Sequence, residues 1–225
     1  MSDILSFGGH DFHIIGDAAL YWPGQSALLV ADLHLEKASF YAKSGQMLPP
    51  YDSHATLTQL ADMAKKCAAR HVICLGDNFH DDDGEARLDG DAAILLRRLT
   101  GEYDWTWITG NHDPALAAIW GGQSRKQMLM GTVMLRHEAL PDSIEPEISG
   151  HYHPKLRVEM ARRTVTRRCF TVTSRKIIMP AFGALTGGMD AAKAAQLAEP
   201  DAAKRGGAKA VLGLKDKIAS FPLML

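Results

Sequence analysis

Five short strings hold most of the residues in this sequence that are equipped for acid–base or metal chemistry: Asp32-Leu-His34, Gly76-Asp77 with His80, Gly110-Asn-His-Asp113, His137, and Gly150-His-Tyr-His153. Carboxylate, imidazole and amide side chains are the oxygen and nitrogen donors that divalent cations accept. Of the ten histidines, His10, His13, His54 and His71 fall outside these strings. One Asp-x-His is a weak sign, since a solvated loop often contains it. Gly-Asn-His-Asp is more specific, because packing alone rarely assembles a glycine, an amide, an imidazole and a carboxylate. The ordered set points to a metal-dependent centre.

These strings must be placed by the elements that precede them. Ala27–Ala31 is a continuous apolar run ending on Asp32, the profile of a buried strand with a polar tip. His71–Leu75 ends at Gly76-Asp77, and Trp105–Thr109 ends at Gly110-Asn111. In open α/β sheets ligands gather outside the carboxyl ends of the strands. Between the strands, Leu57, Leu60, Ala61, Ala64 and Cys67 recur at helical spacing, with Asp52 or Ser53 as the expected cap. A second helix is predicted over Ala86–Leu99. Phe12–Ile15 and Ala19–Trp22 read as a hairpin about Gly16-Asp17.

After Gly121-Gly122 the pattern changes to successive strands at Thr132–Leu135, Glu147–Ser149, Leu156–Met160, Cys169–Thr173 and Lys176–Met179. A helix near Asp190–Ala198, a flexible surface segment at 199–209 and a late strand at Ala210–Leu214 complete the expectation. The first half therefore reads βαβαβ and the second largely β, which two sheets packed face to face with helices outside would satisfy. The expected organisation is one α/β domain over residues 1–225.

Composition narrows the partners. Lys and Arg number 25 against 26 Asp and Glu, so bulk charge neither favours nor excludes a polyanion. Cys67, Cys74 and Cys169 are scattered without metal-ligand spacing, as in a reducing compartment. Neither a signal peptide nor a run of ~18 apolar residues is visible, so a cytoplasmic protein without membrane association is expected.

The series Asp-x-His, Gly-Asp-x-x-His, Gly-Asn-His-Asp, His and Gly-His-x-His over residues 32 to 153 resembles the calcineurin-like metallophosphoesterase superfamily. Ala31-Asp-Leu-His-Leu-Glu-Lys37, Leu48-Pro-Pro-Tyr-Asp52 and Pro180-Ala-Phe-Gly-Ala184 further resemble the ligase-associated DNA damage response endonucleases, the PdeM family. The resemblance implies a four-layer αββα sandwich of two mixed sheets around two metal ions. Matched motif by motif, Asp32, His34 and His153 would hold the first ion, Asn111, His137 and His151 the second, and Asp77 would bridge both. It also implies a repair setting, with a DNA ligase or helicase system as partner.

The chemistry suits that assignment. Two divalent ions bring about +4 and two carboxylates remove about half, so the centre stays attractive to phosphate oxygens. Ions ~3.5–4 Å apart bring a shared water near its neutral-pH ionisation and so supply a nucleophile. Mixed nitrogen and oxygen donors accept Mn, Fe, Zn, Co or Mg, and Mn²⁺ is favoured by family analogy. His112 belongs to no ion in this scheme and is the expected general acid, with Asp113 fixing its tautomer. His80, beside the acidic run Asp81–Asp83, is a second expected partner of the scissile phosphate.

Arg157, Arg162, Arg163, Arg167, Arg168 and Arg175 follow the last ligands, either as a solvated hairpin face or as a track for phosphates. Glu36-Lys37 reads as surface. Three functions fit in descending order: a metal-dependent DNA phosphodiesterase, a phosphodiesterase or phosphatase for a small nucleotide or phosphoester, and a non-catalytic scaffold. The scaffold predicts eroded motifs, and here every ligand position is filled. Oligomeric state is not legible.

Overall fold

A computed structural model describes residues 4–110, 117–160, 163–214 and 217–225, and for 117–118 and 159–160 the backbone alone. Two seven-stranded mixed sheets face one another. The first runs in spatial order β1 (Ile4–Phe7), β2 (His10–Ile15), β3 (Ala19–Trp22), β4 (Ala27–Val30), β5 (His71–Leu75), β6 (Asp104–Ile108) and β7 (Gln123–Arg125). Strands β1 to β4 form an antiparallel meander, and β4 to β7 are parallel. The second sheet contains β8 (Gln127–Met130), β9 (Val133–Arg136), β10 (Glu147–Ser149), β13 (Phe170–Val172), β14 (Lys176–Ile178), β16 (Ala208–Leu214) and β17 (Lys217–Leu223), in the order β17-β16-β13-β14-β10-β9-β8. Strands β9, β10 and β14 are parallel. A ribbon of β11 (Pro154–Met160) and β12 (Arg163–Arg168), edged by β15 (Met189–Asp190), completes the β structure.

The apolar runs dictate the layers. Every residue of β4 is buried, because one face meets the other sheet and the other face meets helices. Leu29 enters the inter-sheet core with Phe12, Trp22, Ile73, Ile108, Leu135, Ile148, Phe170 and Ile177. Leu28 and Val30 point the other way, to the layer of Leu57, Leu60, Leu96, Leu99 and Trp107. Outside the first sheet lie α1 (Lys37–Ala42), α2 (Asp52–Lys66), α3 (Gly84–Arg87), α4 (Gly90–Glu102) and α5 (Ala117–Trp120). Outside the second, α6 (Ala191–Ala198) packs Ala191, Ala194, Ala195 and Ala198 inward, with Asp190 accepting from the Ala192 and Lys193 N–H groups as its cap. The result is the expected αββα sandwich. No helix of the described residues is long and apolar enough to cross a membrane.

Two local expectations are corrected. The helix predicted over 86–99 is broken in two, since Leu88 and Asp89 are extended and Gly90 has φ +54. Asp52 and Ser53 do not cap α2; the Asp52 carboxylate accepts the Ala38 N–H at 3.0 Å and Ser53 Oγ accepts the Glu36 N–H at 2.8 Å. They cap α1 instead. In 199–209, a 3-10 turn spans Ala202–Arg205, and Glu199 and Ala202 are buried.

The second sheet also encloses an ionic group. Lys176 and Glu147 are fully buried, 3.2 Å apart, with Arg136 Nε 3.3 Å from the same carboxylate. Lys176 Nζ donates to the Leu140 carbonyl at 2.7 Å, and the Leu140 N–H donates to Glu147 at 2.8 Å, so the group ties down the loop that follows His137. Removing one member of a buried pair typically costs about 3–5 kcal/mol. Lys176→Met should therefore lose about 3 kcal/mol in urea unfolding. A loss under ~1 kcal/mol would mean that Arg136 alone satisfies Glu147.

Candidate metal centre

The carboxyl ends of the parallel strands in both sheets converge on one place. Asp32 and His34 follow β4, Asp77 and His80 follow β5, His137 follows β9, and His151 and His153 follow β10. The loops after β4 and β5 are laced together: the Asp32, His34 and Leu35 N–H groups donate to the Gly76, Asp77 and Asn78 carbonyls, and the His80 N–H returns to the Leu35 carbonyl. Asp32, His34, Asp77, His151 and His153 all have φ between 42° and 71°. Asp and His tolerate this left-handed region better than most residues, and strain of this kind concentrates at functional sites.

Two glycines of the motifs are there for clearance. A Cβ on Gly76, itself at φ +75, would stand 2.2 Å from His137 Nδ1. A Cβ on Gly150 would stand 2.5 Å from an Asp32 oxygen. Each glycine lets a donor of one sheet approach the backbone of the other.

The donors form two groups, Asp32 with His34 and His153, and Asp77 with His137 and His151; within each group one donor atom per residue lies within 4.8 Å of the others. In the first, the Nε2 atoms of His34 and His153 are 3.3 Å apart and Asp32 Oδ1 is 3.5 Å from His153 Nε2. In the second, His137 Nε2 lies 3.1 Å from His151 Nδ1 and 3.4 Å from Asp77 Oδ1. His137 Nδ1 donates to the Leu75 carbonyl at 3.1 Å, which leaves its Nε2 lone pair facing His151. Burial, with His153 and Lys37 nearby, lowers the His34 pKa to about 2, so its imidazole is neutral.

These residues fit metal ions. Neutral imidazole nitrogens pointing at one another repel unless a cation or a proton lies between them. Nitrogens sharing one ion at ~2.1 Å stand about 3.0–3.4 Å apart, the separation found in both pairs. Asn111, His112 and Asp113 lie outside the described residues.

Further residues support the donors. His151 Nε2 is 3.6 Å from Glu138 Oε1, and the Tyr152 hydroxyl donates to the same oxygen at 3.3 Å, an arrangement that orients the ring. Burial first and Glu138 second push the Tyr152 hydroxyl up to about 12. The segment Pro180–Ala184 passes beside the turn that follows β4: the Phe182 and Gly183 N–H groups donate to the Ala31 and Asp32 carbonyls. Arg168 holds that segment, donating to the Phe182 and Gly183 carbonyls at 3.3 and 2.6 Å. Glu138 and Tyr152 sit beside ligand positions in sequence, which was the available signal for them.

The arginine cluster is divided. Cross-strand register puts Lys155, Arg157 and Arg168 on one face of the β11–β12 ribbon and Arg163 and Arg167 on the other. Arg175 precedes β14, at the amino ends of the parallel strands, away from the centre. Arg162 lies outside the described residues. Asp81 is engaged by Arg87 and by Lys43 at 3.9 Å, and the Arg87 hydrogen bond holds its carboxyl below the usual range. The acidic run is thus partly neutralised. A surface cavity of about 560 Å³, lined by residues such as His13, Asp17, Gln59, Met63 and Lys217, contains none of the metal-site residues.

Gly76→Ala should displace His137 and weaken the second group's affinity for Mn²⁺ or Zn²⁺ by about 10–100-fold, the weight of a lost supporting constraint. Calorimetric titration of chelator-treated protein measures it. Unchanged affinity at both sites would contradict this placement of His137.

Comparison with known proteins agrees with the geometry. The family model for calcineurin-like phosphoesterase matches residues 26–157. The crystal structure of the Pseudomonas putida nuclease MPE superposes with a TM-score of 0.70 at 26% identity, over 93% of this chain and 95% of that one. This likeness is consistent with the PdeM-type resemblance of the sequence. Weaker similarities are to AQ665, a protein of unknown function from Aquifex aeolicus (TM-score 0.40, 16% identity, 56% of this chain and 78% of that one), and to the E. coli phosphoesterase Yfce (0.43, 11%, 88% and 99%). No curated protein matches the sequence. With its matched region spanning more than half of the sequence and the two donor groups inside one centre, the chain belongs to the calcineurin-like phosphoesterase family, metal-dependent hydrolases of phosphoesters.

Proposed function

We propose that the chain is a two-metal phosphodiesterase that cleaves the backbone of DNA, with Mn²⁺ as its working ion and repair as its setting. The observation that carries this reading is the pair of Asp/His groups at the strand ends of a chain resembling the P. putida nuclease over 93% of its length. When bound, two divalent ions supply Lewis acidity to the phosphoryl oxygens and ready a water for attack.

The side chains do the rest. Asp32, His34 and His153 would hold one ion, and Asp77, His137 and His151 the other, with Asn111 as a further donor to the second and Asp77 shared with the first. Neutral imidazoles keep the centre positive, so that a phosphodiester is drawn in rather than repelled. His112 gives its proton to the departing oxygen as the P–O bond breaks, and Asp113 orients His112. His80, with its ring centroid 5.6 Å from that of His34, would be the second side chain to meet the scissile phosphate.

The direct test compares single-stranded DNA, duplex DNA, a chromogenic phosphodiester and a phosphomonoester with Mn²⁺. Cleavage of DNA supports the reading; turnover confined to small esters assigns the chain to small phosphoesters instead. His112→Gln should cut turnover by roughly 10²–10⁴-fold with metal content intact. The loss should shrink for a nitrophenyl ester, whose leaving group needs little protonation. Equal losses on all leaving groups, or loss of a metal, would contradict the acid role.

A further inference from the structure

The short helix α1 carries a feature the hydrolytic centre does not use. Lys37, Phe40 and Tyr41 stand at positions i, i+3 and i+4 and so share one face of it. That face is turned toward the first donor group. The Phe40 and Tyr41 rings lie 4.7 and 5.7 Å from the His80 ring, Tyr41 stacked and Phe40 edge-on, and His80 in turn adjoins His34. Lys37 is within electrostatic reach of His34 and of Lys155. The Asp52 carboxylate, which acts on Lys37, accepts the Ala38 N–H. Lys155 donates to the Thr186 carbonyl at 3.1 Å, and Arg157 follows it on the same ribbon face, exposed.

Phe40 is 37% exposed, so one of the two rings beside the centre has surface open to a ligand. Aromatic rings next to a line of cations are what a nucleotide requires: a π-face for the base and positive charge for the phosphate. Packing on His80 alone would explain rings folded inward, whereas here one stays open to solvent with Lys37 on the same helical face.

We infer that α1 is the nucleoside-reading element of the centre: a nucleobase next to the scissile phosphate stacks on the exposed Phe40 ring, which Tyr41, at right angles to it and stacked on His80, holds in place, and Lys37 with Lys155 takes the neighbouring phosphate. This rests on the phosphodiesterase reading above and adds to it the group by which a polynucleotide differs from a small ester. Arg157 continues the cation line along the ribbon for the phosphate beyond.

Fluorescence anisotropy in Mn²⁺ tests it, using a cleavage-resistant phosphorothioate octathymidylate and an abasic octamer of the same charge. The unaltered protein should bind the base-bearing strand about tenfold more tightly. Phe40→Leu with Tyr41→Leu should reduce that preference to under about twofold. Lys37→Gln should weaken both strands alike and lower the log–log salt slope by about 0.7. If the double variant loses its cooperative melting transition, Phe40→Leu alone and Lys37→Gln decide the matter. A base preference that survives the aromatic changes, or is absent from the unaltered protein, overturns the inference, as does an unchanged salt slope. Chromogenic diester turnover without base preference removes the α1 subsite but leaves the hydrolytic reading standing. Base preference without turnover of any ester keeps the subsite and removes the hydrolytic reading.

Discussion

The Asp32 carboxylate is wholly buried at the seam between the two sheets, and the rest of the centre is arranged around it. It belongs to the first sheet, yet both its oxygens accept the His151 N–H of the second, at 2.9 and 3.2 Å. Among the described residues, the ion-pair partners within 4.0 Å of it are imidazoles, His137 at 3.6 Å and His153 at 3.5 Å. A buried carboxylate without compensating positive charge is costly. Two divalent ions would supply that charge, and the same ions would make the place reactive. The sandwich is thus joined at the point where it works.

The cost of assembling such a centre is distributed over the backbone. Five donor-bearing residues adopt positive φ, each about 1–3 kcal/mol less favourable than ordinary backbone. The large apolar layers on both sides of the first sheet hold these turns in place, each fully buried Leu or Phe contributing roughly 1.5–3 kcal/mol. Around them stand groups that touch no ion: Leu75 through its carbonyl, Glu138 beside His151, and Arg168 behind the segment that lines Asp32. Arg168 therefore serves the architecture, although by sequence it read either as part of a solvated hairpin face or as part of a phosphate track.

The donors were legible because each ends an apolar run that only a buried strand explains, and because their order matches a known pattern. The strands from 71–75 and 147–149 fall where the sequence puts them. What escaped has a physical reason in each case. β12 is largely exposed, so its side chains give no apolar alternation. α1 is six residues long and follows Glu36 at φ 64, and it exists because Asp52 and Ser53 of the next helix receive N–H groups at its start. No local signal announces a helix stabilised from outside. The arginines after His153 look like one cluster in the sequence, but the two-residue period of a ribbon sends them to opposite faces.

The central claim is that the paired imidazoles and carboxylates of the two groups each enclose a cation. Anomalous diffraction from crystals grown with Mn²⁺ tests it most directly. The account predicts two peaks, one among Asp32, His34 and His153 and one among Asp77, His137 and His151. A single peak, or none, with the His34–His153 and His137–His151 pairs closed by hydrogen bonds instead, would contradict it.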